Sequence, residues 1–91
     1  MLRLLPLGDS ITDGFSVPGG YRAPLFQLCT NAGYTVRFLG SQTNNGAPGI
    51  GNANHEGHSG FRIDEIASGL PGWLESVDDP DVILLLIGTN D

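Results

Sequence analysis

Two kinds of apolar pattern alternate along the 91-residue chain. Leu2 to Leu7 is an apolar run carrying one charge, Arg3, and bounded by Gly8, which predicts a strand buried on both faces. Tyr21, Leu25, Leu28 and Ala32 then recur at helical spacing, with Pro24 tolerable in the first turn and Asn31-Ala32-Gly33 as a stop signal. Tyr34 to Gly40 is rich in β-branched and aromatic residues and predicts a second strand. Ile63, Ile66, Leu70 and Leu74 mark another helical face, and Asp64 and Glu65 sit in its first turn, where the helix dipole favours negative charge. Pro71-Gly72 predicts a kink or division near the end of that helix, with Trp73 just beyond it as a core residue in preference to a substrate platform. Val82 to Ile87, the most apolar run, predicts a central parallel strand covered on both sides.

The order strand, helix, strand, helix, strand predicts an α/β fold. Helical crossovers force the strands parallel, and right-handed crossovers put helices on the faces of the sheet. Residues 41–60, dominated by Asn, Gly, Ser and Pro, read as a structureless loop, and loops of that length in a compact domain are usually functional. In open parallel sheets, active residues gather at the carboxyl ends of the strands. Gly8-Asp9-Ser10, the 41–60 loop and Gly88-Thr89-Asn90-Asp91 all fall there. An apolar third strand left as a sheet edge would invite aggregation. The expectation is that residues 1–91 form the N-terminal part of one larger domain, truncated after its third strand.

Composition narrows the class of protein. Apolar residues at 40% and charged residues at 15% are those of an ordinary globular chain, while fourteen glycines and six prolines agree with long loops. Four arginines against ten carboxylates give a formal charge of −6, which argues against nucleic acid or an anionic membrane as partner and favours a neutral substrate. No apolar run approaches the ~20 residues of a membrane span, and the N-terminus shows no secretory signal. Cys29 is the single cysteine, so no intrachain disulfide is possible, and its place in a predicted helix makes it a small core residue and not a nucleophile.

Ser10, following a buried strand within a Gly-bounded turn, is either a helix-capping or turn serine or an exposed hydroxyl able to attack a carbonyl. It does not lie in the Gly-x-Ser-x-Gly elbow of the α/β-hydrolases, because Gly8 and Gly14 are placed differently. Asn90 should reach the same sheet edge, where a side-chain amide can donate to charge developing on a carbonyl oxygen. Gly60 directly precedes the helix expected from Arg62, where backbone N–H groups are unpaired and ready for an anion. Gly40, at the end of the second strand, is a rival for that role.

These residues resemble the blocks of the SGNH, or GDSL-type, hydrolases. Gly8-Asp9-Ser10-Ile11-Thr12 is similar to the first block, His58-Ser59-Gly60 to the second and Gly88-Thr89-Asn90-Asp91 to the third. The resemblance implies Ser10 as nucleophile and backbone oxyanion donor, Gly60 as backbone donor and Asn90 as side-chain donor, with Asp9 supporting the turn and Asp91 holding Asn90. Gly60 is preferred to Gly40 because the family's glycine precedes the following helix. It further implies a three-layer α/β/α sandwich of flavodoxin-like type, with the three predicted strands, numbered along the chain, in the order 2-1-3. Val36 to Gln42 and Glu56 to Arg62 resemble carbohydrate esterase family three, which implies removal of acetyl groups from xylan, no cofactor or metal, and a secreted enzyme.

The family's last block, Asp-x-x-His, has no counterpart here, since no Asp stands three residues before either histidine. His55 and His58 lie in the loop before the oxyanion glycine, where loop ordering or, for His58, substrate lining is expected ahead of a role as base. His55-Glu56-Gly57-His58 is not the His-Glu-x-x-His zinc motif and lacks a third ligand. Asp13, like Asp9, is expected to brace the turn. The alternatives are a lysophospholipase or thioesterase of the same family, or an inert or carbohydrate-binding chain.

Overall fold

The computed structural model describes residues 1–91. Its order is β1 (Leu2–Gly8), α1 (Ser10–Asp13), α2 (Arg22–Asn31), β2 (Val36–Phe38), β3 (Glu56–Gly57), α3 (Ile63–Ser76) and β4 (Val82–Leu86). All strand pairings run through β1 and are parallel. Leu4 pairs with both Phe38 and Val82, and Gly8 with both Gly57 and Leu86. A strand has only two edges, so β2 and β3 share one edge of β1 end to end and β4 occupies the other. The predicted order is therefore observed, with β1 at its centre.

Alternation along β1 divides its side chains between two cores. Leu4 packs with Val36, Phe38 and Ile50 on the face covered by Ala23, Leu25, Phe26 and Cys29 of α2. Leu5 and Leu7 pack with Leu39 and Ile66 on the opposite face, against Leu70 and Trp73 of α3. These are the three layers expected from the pattern. Burying one large aliphatic side chain contributes about 1.5–3 kcal/mol, so β1 holds both helices to the sheet.

Several expectations are corrected. Strand two is shorter than Tyr34–Gly40, because Tyr34 and Thr35 have no neighbouring strand to pair with beyond the Leu2 N–H bonded to Thr35. Residues 41–60 are not structureless: Gln42 and His55 form an antiparallel bridge, and Glu56–Gly57 is the short strand β3. Pro71 does not divide α3, which runs unbroken through Trp73. Pro71 and Ala67 lie on the solvent side, where the carbonyl freed by the missing N–H can meet water, while Leu70 and Trp73 remain anchored in the core. The largest correction concerns β4, which is not covered on both sides. It pairs with β1 alone, and Ile83 and Leu85 are 44% and 59% exposed.

Candidate active site

Gly8 ends β1, and the chain turns directly into the single helical turn α1. Asp9 is its N-cap: the Asp9 carboxylate accepts the Ile11 N–H at 3.0 Å. Ser10 thus becomes the first residue of α1, at the carboxyl edge of the sheet, and its own N–H has no acceptor within the helix. Asp9 is fully buried, and its second carboxylate oxygen meets no donor.

The turn holding Gly60 reaches the same edge through β3. Gly57 pairs with Gly8, and the His58 N–H donates to the Gly8 carbonyl at 2.8 Å. Asn90 arrives from the other flank, where Leu86 pairs with Gly8, and its amide donates to the Phe61 carbonyl at 2.8 Å. The segments carrying Ser10, Gly60 and Asn90 therefore all leave the sheet at its carboxyl end. Gly40 is spent elsewhere: a Cβ there would overlap the His55 carbonyl, so this glycine permits the loop's close return. Gly60, with φ near +82°, has open space where a Cβ would stand. Asp91, expected to hold Asn90, instead accepts the Ile63 N–H at the start of α3, at 3.1 Å.

Both histidines have their ring nitrogens engaged. His55 Nε2 lies 3.0 Å from the carbonyl and from the side-chain oxygen of Asn44, both acceptors, so Nε2 carries the proton. Its Nδ1 accepts the Gly57 N–H at 3.0 Å. Burial, and then the nearby Arg22 charge, push this imidazole down from its ordinary pKa, so it is neutral at pH 7. His58 Nδ1 accepts from the Gln42 amide at 3.0 Å, and its Nε2 donates to Glu56 at 2.7 Å. Its ring stacks on Trp73 with centroids 3.9 Å apart and on Phe61 at 5.0 Å. Neither ring offers a free nitrogen to Ser10 or to a substrate. Trp73, in turn, packs against the core.

No protein-family profile matches the chain. Among curated proteins, a multidomain esterase of Ruminococcus flavefaciens is 37% identical over 110 aligned residues, covering 99% of this chain and 14% of that protein. Among solved structures, a Clostridium thermocellum family 3 carbohydrate esterase superimposes with a TM-score of 0.91 at 42% identity, over 99% of this chain and 45% of that one. A Talaromyces cellulolyticus family 3 carbohydrate esterase gives 0.76 at 33% identity, and an acetyl esterase carrying a serine-to-alanine substitution with an acetate ion gives 0.79 at 31%. Each of these two covers all of this chain and 45% of its own. The chain is a relative of the family 3 carbohydrate esterases. It spans less than half the length of the solved structures it matches.

In this family 3 relative, the residues that fix the site are largely ones the sequence did not single out. Arg22 is fully buried and donates to four carbonyls: Thr12 at 3.1 Å, Asp13 at 3.1 Å, Asn45 at 2.9 Å and Ala53 at 2.9 Å. It fastens α1 and both halves of the 41–60 segment to α2. Glu56, also fully buried, accepts the Ser41 N–H at 2.8 Å, the Ser41 hydroxyl at 2.6 Å and His58. Ser41, Glu56 and His58 carry the residue types of a catalytic triad, but the carboxylate sits in the middle and the histidine does not touch the serine. That order makes a brace. A lone Arg in an otherwise neutral helix, and a Glu between two histidines, were the signals in the sequence.

Proposed function

We propose that Ser10 is the nucleophile of a serine ester hydrolase that deacetylates acetylated polysaccharide such as xylan. The observation that supports this reading is the register, which brings Ser10, at the start of α1, the Gly60 turn and the segment of Asn90 to the same carboxyl end of the sheet. The esterase relatives support it. In the reaction, Ser10 Oγ adds to the ester carbonyl as a base takes its proton, and the carbonyl oxygen becomes an oxyanion held by the Ser10 N–H, the Gly60 N–H and the Asn90 amide. Collapse expels the sugar hydroxyl, which receives that proton, and leaves an acetyl-Ser10 intermediate. Water then attacks this ester by the reverse sequence and releases acetate. One such donor is worth about 2.7–4 kcal/mol of barrier.

His55 and His58 both have their ring nitrogens engaged in the loop, so this reading takes neither as the base of Ser10 and predicts that residues 1–91 by themselves do not turn over. A fluorophosphonate probe tests both statements. The complete natural protein should label at Ser10 and lose labelling and acetyl-esterase activity in Ser10→Ala. Stoichiometric labelling of Ser10 in the isolated 91-residue chain would contradict them.

One observation favours a second reading, a longer acyl group as in a lysophospholipase or thioesterase. A hollow of about 320 Å³ opens beside Ser10, lined by Ile11, Phe15, Val17 and Tyr21. An acetyl methyl fills only a small part of it. Comparing kcat/KM on acetyl, butyryl and octanoyl esters of one alcohol decides between the two, with acetyl preference expected here.

A further inference from the structure

The turn that carries Gly60 is tied to the nucleophile's own helix through a single side chain. Asp13 is the last residue of α1, one turn after Ser10, and it is 5% exposed. One of its carboxylate oxygens accepts the Ser59 hydroxyl at 2.6 Å, and the other accepts the amides of Asn44 and Asn45 at 3.0 Å each. The Ser59 bond is the only side-chain hydrogen bond between α1 and residues 58–60, and Ser59 directly precedes Gly60. Hydroxyl-to-carboxylate bonds of this length are among the strong ones, and they fix position as well as contribute energy. Gly57 brings the two segments into direct contact, since a Cβ there would overlap the Asp13 backbone nitrogen.

Burial alone would push the Asp13 carboxyl up, but the bonds from Ser59, Asn45 and Asn44 outweigh it and hold its pKa below the ordinary value. The group is therefore a full acceptor at neutral pH. Asp9, by contrast, caps α1 from within and bonds nothing on the 58–60 turn. Bracing of the turn was expected of both residues. Only Asp13 bridges to the residue beside the oxyanion donor.

We propose that Asp13 is a positioning residue, which sets the Gly60 N–H relative to Ser10 by holding the Ser59 hydroxyl. The proposal rests on the assignment of Ser10 and Gly60 above. Its physical content is that oxyanion donors act only when preorganised at the place where charge develops, and a displacement near 1 Å costs about 100-fold in rate. Ser59 holds the turn, and Asp13 holds Ser59.

The test uses the complete natural protein with an acetyl ester. Ser59→Ala removes one surface hydroxyl and should lower kcat roughly 10- to 100-fold, with KM nearly unchanged. Ser59→Thr, which keeps the hydroxyl, should recover most of the loss. Asp13→Asn, which leaves a single oxygen for the three donors of Ser59, Asn44 and Asn45, should lower kcat similarly and add little to Ser59→Ala when the two are combined, because the Ser59–Asp13 bond is common to both. A purely structural role would instead lower the melting temperature and leave kcat per titrated active site intact, and that result would overturn the proposal. If Asp13→Asn fails to fold, Ser59→Ala and its Thr rescue carry the test. An inactive Ser10→Ala alongside an unimpaired Ser59→Ala defeats the positioning role and leaves the nucleophile standing. A fully active Ser10→Ala defeats the underlying assignment.

Discussion

Along one edge of β1 the chain places Asn, Gly and Ser residues; along the other it places an almost pure run of Val, Ile and Leu. The polar edge is the more tightly fixed of the two. There the 41–60 segment is bound by Arg22, Asp13 and Glu56, each buried and each making several hydrogen bonds to different stretches of chain. The apolar edge, β4, has five apolar residues and a single neighbouring strand, and four of them are exposed above 35%. Open apolar grooves flank it on both faces, one against Pro24, Leu25 and Leu28 of α2, the other against Ile63, Leu70 and Leu74 of α3. Hydrophobicity supplies a driving force only where a second surface arrives to use it. Buried polar groups, by contrast, specify their partners one by one.

The sharpest way to break this comparison is to remove Arg22. Arg22→Met keeps much of the volume but leaves four carbonyls without their donor, and stability should fall by about 3–5 kcal/mol, a large part of a typical domain's total. Urea denaturation of the 91-residue chain measures it; a loss below 1 kcal/mol would show that the 41–60 segment is not held by this residue. Glu56→Gln comes next. It puts an amide donor among the Ser41 and His58 donors, and should cost about 1–3 kcal/mol in the same experiment. Full retention of stability would demote the brace.

Acidification probes the polar edge without mutation. His55 has its folded pKa depressed below 6.5 and Asp13 below 3.8. In both cases the unfolded state binds protons first as pH falls, so stability rises with pH. The His55 contribution is complete above about pH 6.5 and is lost as pH falls through its lower folded value. That of Asp13 is complete above about pH 4 and is lost on further acidification through its own folded value. The urea midpoint should therefore drop between pH 7.5 and 4.5, and His55→Phe should flatten that upper part of the curve. A midpoint that climbs on acidification would contradict the assigned protonation states.

The smallest effect is expected on the apolar edge. Leu85→Thr should change the stability of the 91-residue chain by only about 0.5 kcal/mol, whereas Leu5→Ala in β1 should cost about 2–5 kcal/mol. Comparable losses at the two positions would mean that β4 is held in the core no less firmly than β1.

Much of this was legible in the sequence because it depends on local order. The apolar run Leu2–Leu7, the helical spacing from Tyr21 to Ala32 and that from Ile63 to Leu74 each specify an element through residues close in the chain. Gly8-Asp9-Ser10 and Gly88-Thr89-Asn90 could be placed at the sheet edge because each follows a strand directly. What misled was also local. Pro71 reads as a break until Leu70 and Trp73 are seen anchored in the core, and Val82–Leu86 reads as a central strand because apolarity reports the capacity for burial and not its fulfilment. The roles of Arg22 and Glu56, and the partner that Asp13 reaches in Ser59, were hidden for a different reason. Apart from the Glu56–His58 pair, their bonds reach groups 9 to 46 positions away, and no spacing rule brings such partners together.

The sequence by itself thus determined the alternation of strand and helix, the parallel sheet around β1, and the three segments carrying Ser10, Gly60 and Asn90 to one edge. Only the tertiary structure decided that the polar 41–60 segment is a braced wall, that both histidines are spent on that wall, and that Asp13 reaches Ser59. Secondary structure follows from periodic side chains a few residues apart. Hydrogen-bond partners across dozens of residues exist only once the chain has folded and excluded water from between them.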